Sequence, residues 1–453
     1  MLISNLYLCR FKNRLNMHGF YLFLKLILNY SLRLFYRKIE TKGTPNEYFG
    51  STIYVCNHPA SFMDPLLLGT IRKPVVFFMT RADVFNKATQ PIFRAAHMLP
   101  IYRERDGVAT KSANEQVFET CAELLIKKRN LLLFGEGFTD DVFERRLKPL
   151  KKGAARIGFL TLEKSNWEKP IYMAATGLNY EAPNKMRSVV FLKTSEKICL
   201  NDYKEKYLEN PSKTIVEVTN RMAQLLEEQV IHVKNDRWFK LVEQVLQISQ
   251  KGIITYVDSK KTTLFNKWTF SKKIANWVNE KEETNSEQLE NLEKATNAYF
   301  QKLEENGIKD ELIAGLSSTG KMNFFKPLLK TLLLLPFALV GFIHCLIPYL
   351  LVKRFTEKSF KRPVFWGSVK MLVGMIVMGL VNIPVIFILH SFIESYSLCI
   401  VYYLLIGLFG LSSYLFIQEI TQLKSKLNAS KSDLYSLKKE RIELEKMIDA
   451  IEL

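Results

Sequence analysis

A chain of 453 residues, 48% hydrophobic and 12% aromatic, is too apolar to be disordered and long enough for two or three units. Its 64 Lys and Arg against 45 Asp and Glu give a formal charge of +19, which calls for a polyanionic partner, nucleic acid or an anionic membrane face. The basic residues are scattered and long apolar segments are present, so the balance excludes a nucleic-acid binder and favours a phospholipid membrane. Six cysteines with no CxxC or zinc-type pairing fit a reducing compartment, and neither a metal site nor a cleavable signal peptide is expected.

Residues 1–48 are expected to form an N-terminal interfacial amphipathic helix. The stretch 18–38 sets Leu22, Leu24, Leu26, Leu28, Leu32 and Leu34 among aromatics, yet Lys25 and Arg33 suit headgroups better than a bilayer centre. The alternative is a buried helix packed on the domain that follows. In 49–200, apolar runs at 52–56, 75–79, 130–134, 171–175 and 188–192 alternate with helical patterns at 116–127 and 153–162. That alternation predicts an α/β domain with a mostly parallel sheet, its chemistry in the loops beyond the strand C-termini.

Residues 201–320 are polar with helical periodicity and read as a helical connector or cap. A C-terminal transmembrane helical region follows in 321–420. The segments 371–390 and 398–417 each supply about the 20 residues a spanning helix needs, and they are expected to form a hairpin. The segment 328–352 is interrupted by Pro336, Gly341, His344 and Pro348 and is expected to dip into the membrane and return. Lys353, Arg354, Lys358, Lys361, Arg362 and Lys370 precede the hairpin, whereas its turn holds only Glu394. The positive-inside rule then predicts an integral membrane protein with its catalytic domain on the cytoplasmic face. In the tail, 421–453, the residues Leu423, Leu427, Leu434, Leu437, Leu444, Ile448 and Ile451 form a seam broken at Ser430 and Arg441. It suits either a short coiled coil pairing subunits into a homo-oligomer or one amphipathic helix folding back.

The chemistry-bearing signal is Asn57-His58-Pro59-Ala60-Ser61-Phe62-Met63-Asp64-Pro65, directly after a strand. A carboxylate that accepts from Nδ1 fixes a histidine's tautomer and supports the imidazolium formed when Nε2 takes a proton. On a regular helix, positions six apart diverge, so the pair converges only if the segment turns, and Pro59 favours a turn. The plain alternative is a structural histidine beside an aspartate helix cap.

The surrounding motifs weigh against that alternative. The chain resembles the glycerolipid acyltransferase superfamily, which includes glycerol-3-phosphate and lysophosphatidate acyltransferases. Asn57, His58 and Asp64 occupy its first motif in the branch with five residues between His and Asp. Leu99-Pro100-Ile101-Tyr102-Arg103 resembles the second, and Phe134-Gly135-Glu136-Gly137 the third, with Gly135 replacing the usual proline. Phe138-Thr139-Asp140 stands where the family has a downstream arginine; Arg145, Arg146, Lys148, Lys151 and Lys152 are candidates to compensate. A fourth motif matches 171–175 and Thr176-Gly177-Leu178-Asn179-Tyr180.

The resemblance implies an O-acyltransferase of phospholipid biosynthesis. It would use acyl-CoA or acyl carrier protein as co-substrate, a glycerol-phosphate acceptor, and no further cofactor. His58 would be the base and Asp64 its orienter, with substrate contacts at Asn57, Arg103, Glu136 and Gly137. No G-x-S-x-G elbow offers a serine nucleophile, so transfer would be direct. Two other readings stand beside it: acylation of another lipid, by lysophospholipid remodelling or of an aminolipid, and a non-catalytic membrane scaffold.

Overall fold

A computed structural model describes residues 14–43, 50–71, 75–87, 89–102, 110–256, 262–316, 324–428 and 431–452. Its eight-stranded sheet has the order β1 (Lys38–Lys42), β7 (Val189–Thr194), β6 (Tyr172–Tyr180), β2 (Thr52–Cys56), β5 (Asn130–Phe134), β3 (Val76–Arg81), β4 (Met98–Ile101), and β8 (Ile198–Cys199) pairs with β6. From β6 to β4 the strands run parallel. The β7 strand is antiparallel to β6 and carries β1 on its far side. The α/β class is therefore as expected.

Helices cover both faces, which is why β2 is buried at every position. On one face, α1 (Arg14–Phe35) and α2 (Met63–Thr70) contribute Leu32, Phe35, Met63 and Leu67 to the core. A short α3 (Gln90–Ala95) leads into β4. The other face is covered by α4 (Thr110–Ile126), α5 (Gly153–Lys164) and, after the short α6 (Lys204–Glu209), α7 (Pro211–Glu227).

The connector comprises α8 (Phe239–Ser249), α9 (Leu264–Thr284), α10 (Ser286–Glu305) and α11 (Asp310–Ala314). Thr263 and Asn285 cap α9 and α10 by accepting the Asn266 and Gln288 backbone N–H groups. Its core includes Val189 and Phe191 of β7, so the connector is packed onto the sheet.

Three long helices follow, α12 (Phe325–Ser359), α13 (Trp366–Ile393) and α14 (Tyr396–Asn428), each long and apolar enough to cross a membrane. The segment 328–352 differs in form from the expected broken dip, because it lies inside one helical run that continues through Pro336 and Pro348. Proline lacks the N–H that the carbonyl four residues earlier would accept. At Pro348 that carbonyl belongs to His344, and the Asn382 side chain of α13 donates to it instead at 3.3 Å. The His344 ring meets Asn382 and Tyr402 at 2.8 and 2.9 Å, so the local break is repaired by neighbouring helices. Near its two ends α12 is held by its neighbours: Lys330 pairs with Glu419 and Glu357 with Lys370, and just beyond it Asn184 donates to the Pro363 carbonyl at 2.9 Å.

Two further expectations change. The tail helix α15 (Lys431–Asp449) buries Leu434, Leu437, Leu444 and Ile448 in the connector core, while Leu427 stays exposed. Among the described residues the seam is thus largely occupied within the chain, as in the fold-back reading of the tail. In α1, Tyr21, Leu32 and Phe35 are buried against the α/β domain, whereas Leu22, Phe23, Leu26 and Tyr30 are exposed. The Tyr30 hydroxyl donates to the Leu404 carbonyl of α14 at 2.9 Å. The helix therefore has one face on the domain and lies beside the apolar bundle, combining the two readings of that segment.

Candidate active site

Strand β2 ends at Cys56, but β6 runs four residues beyond the partner of Cys56, Thr176. Asn57 bridges the overhang: its side chain donates to the Leu178 carbonyl at 3.1 Å and accepts the Leu178 N–H at 2.8 Å. It thereby continues the ladder by side chain and fixes the exit direction of the chain. Pro59, Ala60 and Ser61 then reverse it. Ser61 takes a positive φ of 51°, and the Met63 and Asp64 N–H groups donate back to the Ala60 and Ser61 carbonyls at 3.1 and 3.2 Å.

That turn brings Asp64, in the first turn of α2, back to His58. The His58 Nδ1–H donates to Asp64 Oδ2 at 2.8 Å. The same oxygen accepts the Ala60 N–H at 2.9 Å, and the Tyr180 hydroxyl donates to Oδ1 at 2.6 Å. The Asp64 side chain is fully buried and that of His58 is 19% exposed. Stacked on Phe134 at 4.1 Å between ring centroids, the imidazole is held flat. With Nδ1 committed to Asp64, Nε2 is the free, basic nitrogen and has no partner among the described residues. This is the geometry of a base and its orienter.

Glu136 follows β5 and is buried. Its carboxylate accepts the His58 N–H at 2.6 Å and the Lys148 N–H at 3.2 Å. Burial pushes this carboxyl above its ordinary value, against the lowering pull of those N–H groups and the Lys148 ammonium. Glu136 and Asn57, expected as substrate contacts, brace the His58 loop through these bonds. Gly137 takes a φ of 79°, a left-handed turn that glycine adopts without strain, and the Lys151 side chain lies over it. Arg103 lies outside the described residues.

Most of the candidate compensating cations are already engaged. Lys148 pairs with Asp140 at 2.7 Å, and Arg146 pairs with Asp140 and Glu144 at 3.2 and 3.1 Å. Arg145 donates to the Tyr180 and Glu181 carbonyls at 2.6 and 3.1 Å and to Glu243 at 2.5 Å. Lys151 and Lys152 are exposed, without an ammonium partner among the described residues.

Residues missed in the sequence line the same site. Tyr180 was visible only as the last residue of a motif; that its side chain points at Asp64 needs the sheet register. The loop between α12 and α13 also reaches the site. Arg362 donates to the Thr139 and Asp140 carbonyls and pairs with Asp141, while Phe365 packs on Phe62 at 5.1 Å.

Residues 38–171 match the family model described as Acyltransferase. This segment is similar to the acyltransferase family, and it makes up less than a third of the chain. The match agrees with the motif resemblance to the glycerolipid acyltransferase superfamily. A search of curated proteins finds no match. Among solved structures, the 1-acyl-sn-glycerophosphate (LPA) acyltransferase PlsC from Thermotoga maritima is similar over 48% of this chain and 85% of that one, with 18% identity and a TM-score of 0.32. Within the acyltransferase domain, the His58 and Asp64 pair stands at the C-terminal end of β2, where ligands meet an open α/β sheet.

Proposed function

We propose that the protein transfers a fatty acyl chain from a coenzyme A or acyl carrier protein thioester to a hydroxyl of glycerol-3-phosphate or lysophosphatidate. The observation that carries this reading is the imidazole anchored at Nδ1 by a buried carboxylate, with Nε2 open. In the proposed step, Nε2 takes the acceptor hydroxyl's proton as that oxygen attacks the thioester carbonyl. Asp64 supports the imidazolium, the tetrahedral intermediate collapses, and the carbon–sulfur bond breaks. The proton then passes from His58 to the leaving thiolate. The glycerol-phosphate acceptor is favoured by the Gly137 turn with the stem of the exposed Lys151 beside it, a pairing suited to a phosphate.

The test is product analysis with labelled acyl-CoA and acyl-carrier-protein donors, offering glycerol-3-phosphate, lysophosphatidate, lysophosphatidylcholine and an amine-bearing lipid side by side. Label in phosphatidate or lysophosphatidate is the expected result; label only in the other lipids would move the assignment to remodelling or aminolipid acylation. In the same assay Lys151→Ala should raise KM for the phosphate acceptor about tenfold, one lost charged hydrogen bond, with kcat little changed. An unaltered KM would remove Lys151 from the phosphate site.

The contacts at both ends of α12 support a topology in which it enters and leaves on the side of the acyltransferase domain, while α13 and α14 cross as a hairpin. The basic residues of 353–370 favour the cytoplasm for that side. Single cysteines at Phe360 and Glu394, in a background without the native cysteines, should react with impermeant maleimide from opposite sides. Labelling of both from one side would exclude the hairpin.

A further inference from the structure

We infer that Tyr180 is a positioning residue for the transfer step, fixing the Asp64 carboxylate and tempering the negative charge it presents to His58. This rests on the acyl-transfer reading and adds a third member to the His58 and Asp64 pair. The Tyr180 hydroxyl lies 2.6 Å from Asp64 Oδ1, the oxygen not used by His58. Three donors, from Tyr180, Ala60 and His58, thus converge on one carboxylate that water does not reach.

Tyr180 is itself held firmly. It ends β6, Arg145 donates to its carbonyl, and its ring lies 6.1 Å from Tyr36 and 6.2 Å from Phe143. Burial, with the nearby Asp64 charge adding to it, keeps this phenol well above its ordinary value, so it stays a proton donor throughout the working range. A buried hydrogen bond to the carboxylate draws negative charge towards the phenol. The imidazolium that forms on His58 then meets a weaker opposing charge, and Asp64 cannot swing away from Nδ1.

The other groups facing this pair are accounted for. Tyr36 also lies beside Asp64, but its hydroxyl donates to the Pro183 carbonyl at 3.3 Å. Glu136, just beyond β5, turns its carboxylate onto the His58 and Lys148 N–H groups. Arg145 reaches Tyr180 only through its carbonyl and spends its remaining donors on Glu181 and Glu243.

Tyr180→Phe in the full-length protein keeps the ring and deletes the donor. Catalysis requires neutral His58, so an Asp64 that presents more negative charge moves the acid limb of the rate profile to higher pH. The expected result is a kcat about tenfold lower, unchanged KM for donor and acceptor, and an acid limb displaced upward by about half a pH unit. Tyr180→3-fluorotyrosine, a stronger donor of nearly the same shape, should displace the limb downward. Tyr36→Phe should leave it in place. The pH dependence of His58 carbethoxylation, read by mass spectrometry, should follow the same displacements without requiring turnover. Lack of transfer by the wild-type protein would count against the proposed function, while carbethoxylation would still decide the role of Tyr180. If His58 titrates identically in wild type, Tyr180→Phe and the fluorinated protein, or if only KM changes, the inference is overturned.

Discussion

His58→Ala is expected to lower acyl transfer by at least about 10³-fold, the scale associated with losing a positioned general base. The protein should still fold and enter the membrane, and the contacts explain why. The ring's hydrogen bond is to Asp64, which keeps the Tyr180 and Ala60 donors when the imidazole is removed. The loop keeps the His58 N–H to Glu136 and the Asn57 bridge to Leu178, both independent of the side chain at 58. Transfer measured beside a thermal melt separates loss of chemistry from loss of fold. Near-normal turnover in a folded variant would refute the assigned base, whereas absence of transfer by the unmodified protein with every acceptor would favour the scaffold reading.

The second large effect falls on stability. Arg441 in the tail helix and Asp310 in α11 form an ion pair with side chains 1% and 0% exposed, at 2.9 Å. Arg441 also donates to the Ile248 carbonyl at 2.9 Å, and the Tyr299 hydroxyl donates to Asp310 at 2.6 Å. Arg441→Met removes one charge and leaves the other buried, a change that destabilises by about 3–5 kcal/mol. The apparent Tm of the solubilised protein should fall by several degrees, since about 2–4 °C follows each kcal/mol in a unit of this size. Adding Asp310→Asn should restore part of the loss by removing the stranded charge. A single variant that melts with the wild type would mean that water reaches Asp310 and that the tail is loosely held. Arg441 is one of the two residues that interrupt the leucine seam, and the pair explains the interruption: at that point the helix meets a buried aspartate instead of a hydrophobic layer.

Much of the sheet was legible because strands covered on both faces must be apolar at successive positions. The runs at 52–56 and 130–134 coincide with β2 and β5, and three further runs overlap β3, β6 and β7. The strands β1 and β4 were not legible. Lys38–Lys42 is charged and half exposed at one sheet edge, and its partner β7 lies about 150 positions later. Met98–Ile101 is four residues long, includes a proline and occupies the other edge, the position a sheet leaves open to proline. Edge strands need burial on fewer sides, so their composition carries less of the signal.

In the site, the sequence by itself determined which residue types were available: a histidine and an aspartate six positions apart, with a proline between them to break a helix. Its apolar segments likewise determined that the C-terminal third holds helices fit for a bilayer. Only the tertiary structure decided how these are used. The positive φ at Ser61 closes the turn that joins His58 to Asp64. The register of β6 against β2 delivers Tyr180 to the same carboxylate, and the fold turns Glu136 inward as a brace. Composition and periodicity report what each segment buries, a local property. Which buried group meets which depends on contacts between segments distant in the chain, 78 residues apart for Glu136 and His58 and 116 for Tyr180 and Asp64, and no short pattern encodes them.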